Sequence, residues 1–264
     1  MPELAEVEYF RKRWDVGVGD NILAVELHGE KRIFRGTDLA ALKRQLSRNR
    51  LVRSCARGKQ MLFVFSGDNW LGVHLGMSGK LRVEPADFPA GKHDHLLLRQ
   101  KKRSLVFSDA RQFGRVRFHK GTEVPGWWEA SAPELHSNQF TKARMVAFVV
   151  RHGRAPIKAV LLRQSGFPGI GNWMADEILW RARIAPRRQG RELSEKQMGA
   201  LWRSTRFVVR VSLRTLGRDN SDPPQGWLLH VRWAAGGKCP RDGQNLRRAT
   251  IGGRTTAWCA RCQP

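Results

Sequence analysis

The stretch MLFVFSGDNWLGVHL, residues 61–75, contains two short runs of β-prone residues separated by the turn formers Ser66-Gly-Asp-Asn69. Similar short runs recur from about Asn21 to Phe118, and Gly, Asp and Asn punctuate them. Within residues 115–118, basic and apolar side chains alternate. Short strands separated by turn signals predict an antiparallel β-sandwich or barrel for the first part of the chain.

Helical periodicity flanks this β-rich region. A first helix is predicted from Pro2 to about Val16, and apolar residues recur at helical spacing from Thr141 to about Leu216. The fold class is therefore predicted to be α+β with several domains. The predicted parts are a β domain with its N-terminal helix (1–124), a linker (125–140), a helical domain (141–226) and a Cys-containing tail (227–264).

The charge of the chain points to an anionic partner. Its 264 residues include 48 Lys and Arg against 23 Asp and Glu, a net charge of +25. These basic residues run through the whole chain, which favours nucleic acid over a membrane surface as the partner. The acidic N-terminus lacks the pattern of a signal peptide, and no apolar run is long enough to span a membrane. A soluble, cytoplasmic protein is expected.

Three of the four cysteines lie in the tail, in a pattern that suggests a metal site. Cys239 and Asp242 are followed, after sixteen residues, by Cys259 and Cys262. Two such pairs separated by a hairpin-length insert are typical of tetrahedral zinc, which also accepts carboxylate oxygen. The alternatives are a metal-free hairpin with packed thiols, or His230 as the fourth ligand.

The segment Pro168-Gly-Ile-Gly-Asn172 leads into another predicted helix, from Trp173 to Ile184. Its glycines allow a tight turn, and Asn172 is a candidate N-cap. Free N–H groups at such a helix start can bind a phosphate, although many helices begin this way without binding one.

The N-terminus offers a second kind of chemistry. Removal of Met1 would leave Pro2 with a secondary α-amine, and α-amines have pKa values of about 7.7–8.0. Such an amine can attack an aldehyde carbon to form a cationic iminium, and Glu3 beside it could handle protons. The alternative is an ordinary helix start.

Taken together, these segments resemble the formamidopyrimidine-DNA glycosylase and endonuclease VIII family, and more closely its formamidopyrimidine branch. The resemblance runs in order along nearly the whole chain, with Ala5, Gln112 and Asp242 as departures from the usual residues. The segments that carry it are Pro2–Glu8, His74–Gly79, Lys92–His95, Asp109–Gly114, Gly169–Asn172 and Gly253–Cys259.

The resemblance implies a β-sandwich, a helix–two-turn–helix domain and a β-hairpin zinc finger, with DNA bound in the cleft between the halves. It implies a monomeric DNA glycosylase that is also an AP lyase and acts on double-stranded DNA containing damaged bases, chiefly oxidised ones, or abasic sites. A catalytically silent DNA-damage binder with the same fold is the alternative, and a general RNA-binding protein is a weaker one.

The resemblance also implies roles for individual residues. In the catalytic set, Pro2 is the nucleophile at the sugar C1′, Glu3 is the general acid, Lys59 contacts phosphate near the lesion and Arg254 is the finger arginine. In the DNA-binding set, Met77, Arg111 and Phe113 fill the gap left by the everted base, while Lys158 and Asn172 bind phosphate. One structural Zn²⁺ is implied on Cys239, Asp242, Cys259 and Cys262.

Overall fold

The computed structural model describes residues 1–29 and 31–264. The α-helices are α1 (Leu4–Arg13), α2 (Leu39–Leu46), α3 (Gly126–Glu129), α4 (Lys142–Arg151), α5 (Ile157–Leu161), α6 (Asn172–Ala182), α7 (Glu195–Arg214) and α8 (Leu216–Asp219). The strands are β1 (Ala24–Leu27), β2 (Leu51–Arg57), β3 (Gln60–Phe65), β4 (Asn69–His74), β5 (Lys80–Pro85), β6 (Asp94–Arg99), β7 (Arg103–Ser108), β8 (Arg115–Lys120), β9 (Arg247–Ile251) and β10 (Arg254–Trp258).

The first eight strands form two antiparallel four-stranded sheets, with the orders β1-β6-β7-β5 and β2-β3-β4-β8. Alternate residues of β3, such as Phe63 and Phe65, share a buried cluster with Leu98 and Phe107 of the other sheet. Since strand side chains alternate between faces, this shared cluster makes the two sheets a sandwich. The α+β fold with an N-terminal sandwich is confirmed.

The other face of β3 is buried as well, which explains its unbroken apolar run. Leu62 and Val64 lie in a second cluster with Trp128, and Trp127 packs against that cluster. A Cβ at Gly72 of β4 would lie 2.4 Å from the Trp127 ring, so this position needs glycine. The start of the predicted linker, residues 125–140, therefore contains α3 and covers a sheet.

The helices from α4 onward, with Leu4 and Ala5, share a separate apolar core. Helix α6 lies deep in this core, with nine of its eleven residues buried. Helix α7 is amphipathic, and its buried residues include Leu201, Val208 and Val209. Strands β9 and β10 form a two-stranded hairpin, as predicted for the tail.

By its internal contacts the chain divides into two compact units. The first holds Met1–Pro2 and Glu6–Ser131, and the second holds Glu3–Ala5 and Ala132–Pro264. The helical part and the hairpin tail thus belong to one unit, and the finer boundaries suggested by the sequence remain predictions. Within residues 1–29 and 31–264, no helix is long and apolar enough to cross a membrane.

Candidate functional site

The carboxylate of Glu3 forms the cap of α6, a helix that begins 169 residues later in the chain. Its Oε2 accepts hydrogen bonds from the amides of Gly171 (2.9 Å) and Met174 (3.1 Å), and its Oε1 accepts one from Trp173 (2.9 Å). The Glu3 side chain is 3% exposed, and a Cβ at Gly171 would lie 2.3 Å from its Cδ. The Gly-rich turn therefore gives this carboxylate both its donors and its space, and the helix dipole favours its negative charge.

The prediction that Asn172 caps this helix is wrong. Gly171 is the N-cap, and Asn172 is the first helical residue. The Glu3 carboxylate takes the amides that an N-cap side chain would bind, so Asn172 is free for another contact. Its Nδ2 donates to the backbone oxygen of Thr255 in β10 (2.8 Å), which ties the helix start to the hairpin.

Lys158 of α5 lies under this helix start. Its side chain is fully buried, and its Nζ donates to the backbone oxygen of Asn172 (2.7 Å) and to the carboxylate of Asp176. Burial lowers the pKa of Lys158, and the Asp176 carboxylate opposes that effect. The ammonium group thus fixes the backbone at Asn172. The assignment of Lys158 as a phosphate ligand remains a prediction.

Asp176 and Arg232 join α6 to the hairpin, and the sequence reasoning missed this role. The Oδ2 of Asp176 accepts from Arg232 Nε (3.0 Å) and Nη2 (2.5 Å) and from the Ala257 amide of β10 (3.1 Å). Both side chains are almost fully buried, at 1% and 3% exposure. The signal was present, because an acid in the middle of a deeply buried helix must have a partner.

Arg254 is exposed at the start of β10, directly after the hairpin turn Gly252-Gly253. Both glycines have positive φ, at +61° and +72°, which other residues rarely adopt. A Cβ at Gly252 would lie 2.9 Å from the Cβ of Ala159, so the turn packs closely on α5. The hairpin therefore presents Arg254 beside the helix that carries Lys158.

The four predicted metal ligands come together at the base of the hairpin. The donor atoms of Cys239, Asp242, Cys259 and Cys262 all lie within 4.8 Å of one another. The Sγ atoms of Cys239 and Cys262 are 3.9 Å apart, and Asp242 Oδ2 lies 3.3 Å from Cys262 Sγ and 3.4 Å from Cys259 Sγ. With Zn–S bonds of about 2.3 Å, tetrahedral sulfur ligands lie about 3.8 Å apart. The donor set therefore fits one tetrahedral ion, and its thiol and carboxylate donors suit zinc.

The surroundings of this cluster set the protonation of its thiols. Burial, together with the contacts to Asp242 and Cys239, raises the pKa of Cys262 to about 12, so a bound cation must displace a thiol proton there. Among the described residues, the cluster does not include His230, the alternative fourth ligand, whose Nε2 lies 3.0 Å from the backbone oxygen of Pro223.

In the first unit, the three predicted gap-filling side chains lie on two loops. Met77 is 38% exposed and Phe113 is 43% exposed, unusual values for large apolar side chains, and the Arg111 guanidinium lies 5.1 Å from the Phe113 ring centre. Gln112, between Arg111 and Phe113 in the chain, has φ +53°, a left-handed conformation that costs most residues about 1 kcal/mol. A Cβ at Gly76 would lie 2.4 Å from the Phe113 carbonyl carbon, so the two loops touch.

Asp109 holds these two loops together. Its Oδ1 accepts from Ser78 Oγ (2.6 Å), and its Oδ2 accepts from the Gly114 amide (2.7 Å). Its backbone oxygen lies 2.9 Å from the Nε2 of His95, a buried histidine. The motif segments that contain these residues thus form one structural unit that presents Met77 and Phe113 to solvent.

Lys59 lies in the two-residue turn between β2 and β3, close to His74 at the end of β4. The Nδ1 of His74 accepts from the Gly76 amide (3.0 Å), so the imidazole also orders the Met77 loop. Burial, and then the positive charge of Lys59, lower the pKa of His74 to about 4. A cationic site with a neutral histidine results.

The predicted residues thus fall into two groups, one in each unit. The second unit brings together Glu3, Lys158, Asn172 and the Arg254 hairpin, and Pro2 precedes Glu3 directly in the chain. The first unit brings Met77, Arg111 and Phe113 together and places Lys59 beside His74. A carboxylate, an amide and several cations around a helix start can bind phosphate and move protons.

Comparisons with known proteins identify the family of the chain. Residues 1–116 match the model of the formamidopyrimidine-DNA glycosylase N-terminal domain, and residues 132–222 match that of the formamidopyrimidine-DNA glycosylase H2TH domain. The chain is 35% identical to the formamidopyrimidine-DNA glycosylase of Roseiflexus sp. over 100% of both chains. It is also 35% identical to that of Thermus thermophilus, over 100% of this chain and 98% of the relative.

Solved structures give the same result. One is a Lactococcus lactis enzyme variant with a Fapy-dG containing DNA (TM-score 0.90, 28% identity, 99% of both chains). Another is the Lactococcus lactis enzyme with an abasic site containing DNA (TM-score 0.89, 28% identity, 99% of both chains). On the two family models and these full-length similarities, the chain belongs to the formamidopyrimidine-DNA glycosylase family.

Proposed function

We propose that this protein is a DNA glycosylase with AP-lyase activity, and that Pro2 is its nucleophile. The observation that carries the proposal is the fixed carboxylate of Glu3 at the start of α6, next to Pro2 in the chain of a family member. A terminal secondary amine is a nucleophile when it is unprotonated, and a buried carboxylate beside it can exchange protons with the reacting sugar.

In the proposed reaction, the unprotonated Pro2 nitrogen attacks C1′ of the damaged nucleotide and displaces the base. The Glu3 carboxylate accepts the proton that the Pro2 nitrogen loses and then, as general acid, delivers it to the departing base. Opening of the sugar leaves a cationic iminium between Pro2 and C1′. This iminium withdraws electrons, so a proton leaves C2′ and the 3′ phosphate departs by β-elimination. A δ-elimination then releases the 5′ phosphate, and water frees the amine.

The proposed DNA contacts divide between phosphates and the base stack. Four residues are proposed to hold the DNA backbone, either by contacting a phosphate or by fixing a neighbouring group that does so. They are Asn172, Arg254, Lys59 and Lys158. Reaction at a base inside a duplex requires that the nucleotide leave the stack. The exposed Met77 and Phe113, with Arg111, are proposed to occupy the space that it vacates.

We infer that the ion at Cys239, Asp242, Cys259 and Cys262 is zinc and that its role is structural. Bound there, zinc would cross-link the base of the hairpin, so that β10 keeps Arg254 and the Thr255 carbonyl in place. We also infer that the protein acts as a monomer in the cytoplasm, with DNA that contains damaged bases or abasic sites as its partner.

Borohydride trapping tests the nucleophile. Protein from which Met1 has been removed, as checked by mass spectrometry, is mixed with a duplex that contains one abasic site and then reduced. A covalent protein–DNA complex is expected because borohydride reduces the iminium to a stable amine. Pro2→Gly is expected to trap much less, although its primary amine can still form a Schiff base.

Inserting a lysine between Met1 and Pro2 provides the matched control. This extension blocks Met1 removal and places the Pro2 nitrogen in an amide bond, so trapping should disappear while duplex affinity stays near that of the processed protein. If correctly processed protein gives no trapped complex, the lyase proposal fails, and a silent binder of damaged DNA takes its place.

A further inference from the structure

A cavity of about 530 Å³ in the second unit is lined almost entirely by basic and small residues. Its lining comprises residues 150–155, Arg163 and Arg191. Four of these eight residues are arginines, namely Arg151, Arg154, Arg163 and Arg191, and none is an acid. We call this group the arginine pocket. Its side chains differ from those around Glu3, Asn172 and the hairpin.

The backbone that carries these arginines is well fixed. After α4 ends at Arg151, the Gly153 amide donates to the Val150 oxygen (2.9 Å), and the Arg191 amide donates to the Gly153 oxygen (3.1 Å). A Cβ at Gly153 would lie 2.9 Å from the Val150 oxygen and 3.1 Å from the Cβ of Arg191. This glycine therefore allows the turn after α4 to lie directly against the segment that carries Arg191.

Arg163 reaches the pocket from another part of the chain. Its amide donates to the Val160 oxygen (3.1 Å), and its own oxygen accepts from the amides of Gly166 (3.1 Å) and Phe167 (2.9 Å). The turn after α5 thus holds this residue in place. Three separate segments of chain converge on one cavity, each with a fixed backbone.

The structure gives these four guanidinium groups no partner among the residues that it describes. Across residues 1–29 and 31–264, none of them forms an ion pair or a side-chain hydrogen bond. Glu192, the acid next to Arg191, turns away and accepts from the Gln189 amide (3.0 Å). By contrast, Arg11, Arg99 and Arg232 each bind a carboxylate. All four arginines are exposed, so an anion in solution can reach them, and like charges that line one pocket favour an anion that joins them.

We propose that the arginine pocket binds a multivalent phosphate anion. The planar guanidinium fork matches the oxygen atoms of phosphate in paired hydrogen bonds, and four such groups suit several linked phosphates better than a single monovalent anion. The cavity volume lies in the range of about 300–1,000 Å³ that is usual for small-molecule sites. Two sources offer this chemistry, a free polyphosphate or nucleotide and the backbone of a DNA duplex.

The test compares two double variants with equal loss of charge. Arg154→Gln with Arg191→Gln removes half of the pocket's arginines. Arg203→Gln with Arg210→Gln, on the exposed face of α7, is the matched control in the same unit. Calorimetric titration of each full-length protein with inorganic tripolyphosphate is the first measurement. The wild type and the control should bind it equally, and the pocket variant at least tenfold more weakly.

Salt titrations of binding to an undamaged duplex distinguish the two sources. If backbone phosphates occupy the pocket, the slope of log K against log salt should be about 1.8 less steep in the pocket variant than in the control. If the source is a free polyphosphate, the two slopes should agree while the tripolyphosphate affinities differ. Equal affinity of the two variants for both tripolyphosphate and the duplex would overturn the proposal. No step of the test depends on glycosylase or lyase activity.

Discussion

At the scale of single residues, Glu3 combines a structural and a chemical role. Glu3→Gln keeps one oxygen acceptor but removes the negative charge from the start of α6. We expect a loss of about 1 kcal/mol in the free energy of unfolding, because both the cap and the favourable helix-dipole interaction are weakened. Urea unfolding measures this loss. Glu123→Gln, in an exposed loop, is the control and should leave stability unchanged.

The same substitution separates the two chemical steps. Glu3→Gln should suppress excision of a damaged base more than cleavage of a preformed abasic site, since the abasic site has no base to expel. Parallel gel assays on the two substrates measure the ratio. Equal losses on both substrates would argue against Glu3 as the acid that assists base departure.

A second prediction at the scale of residues concerns how His74 makes the stability of the protein depend on pH. Its pKa of about 4 in the folded protein lies below the ordinary value of 6.5, so the unfolded chain binds more protons between these pH values. The stability due to neutral His74 is therefore complete well above pH 6.5 and is lost as the pH falls to 4, by about 3 kcal/mol. His74→Asn keeps an acceptor for the Gly76 amide but cannot titrate. Its unfolding free energy should fall less over this range than that of the wild type.

These residues also show where sequence reasoning reached its limit. The Gly-rich turn before α6 was visible in the sequence, but its cap comes from Glu3, 168 residues from Gly171. A cap contributed from so far away leaves no local pattern, and the local sequence indicates Asn172 instead. Similarly, Lys158 was identified by resemblance, whereas its burial against Asp176 depends on tertiary packing.

At the scale of elements, we expect the β9–β10 hairpin to depend on the metal cluster proposed at its base. Asp242→Cys should keep zinc bound or bind it more tightly, because thiolate is a better zinc donor than carboxylate. Asp242→Ala should loosen the hairpin and weaken DNA binding, since Arg254 and Thr255 lie on β10. Metal analysis after washing with a chelator, together with duplex titration, checks both variants. A metal-free wild-type protein that keeps its fold and its DNA affinity would contradict a structural role for zinc.

Asp176 makes a second prediction at this scale, because it connects α6 with the hairpin. Asp176→Asn leaves the buried cations Lys158 and Arg232 without their shared carboxylate. Removing one partner from a buried ion pair costs about 3–5 kcal/mol, so a large drop in thermal stability is expected. Asp222→Asn, on an exposed loop, is the control. Thermal unfolding followed by circular dichroism would show the difference.

The elements themselves were largely predictable. Short β-prone runs predicted strands such as β3, β4 and β8, and helical periodicity predicted α4 and α6, but no pattern predicted α2 within the β-rich region. The role of Trp127 and Trp128 was not predictable from periodicity. They lie in a short segment with Pro and Ser nearby, and only their contacts with the outer face of β3 and β4 reveal that this segment belongs to the sandwich unit.

At the scale of the whole molecule, the net charge of +25 is expected to make DNA affinity depend strongly on salt concentration. Every phosphate that a cation neutralises releases counterions, so affinity falls as salt rises. If about four to six phosphates are neutralised, log K against log salt should have a slope of roughly −4 to −5. Fluorescence titration of a short duplex at several salt concentrations measures it. A nearly flat slope would mean that phosphate contacts do not dominate binding.

Single substitutions then show how much each cation contributes to the slope of log K against log salt. Lys59→Gln and Arg254→Gln should each make it less steep by about 0.9, if each cation neutralises one phosphate. Both should weaken binding to all sequences alike, because backbone contacts carry no sequence information. Lys101→Gln, in the exposed turn between β6 and β7, alters the net charge equally and should leave the slope unchanged. If all three variants changed the slope by the same amount, binding would depend on overall charge rather than on the cations placed at the candidate site.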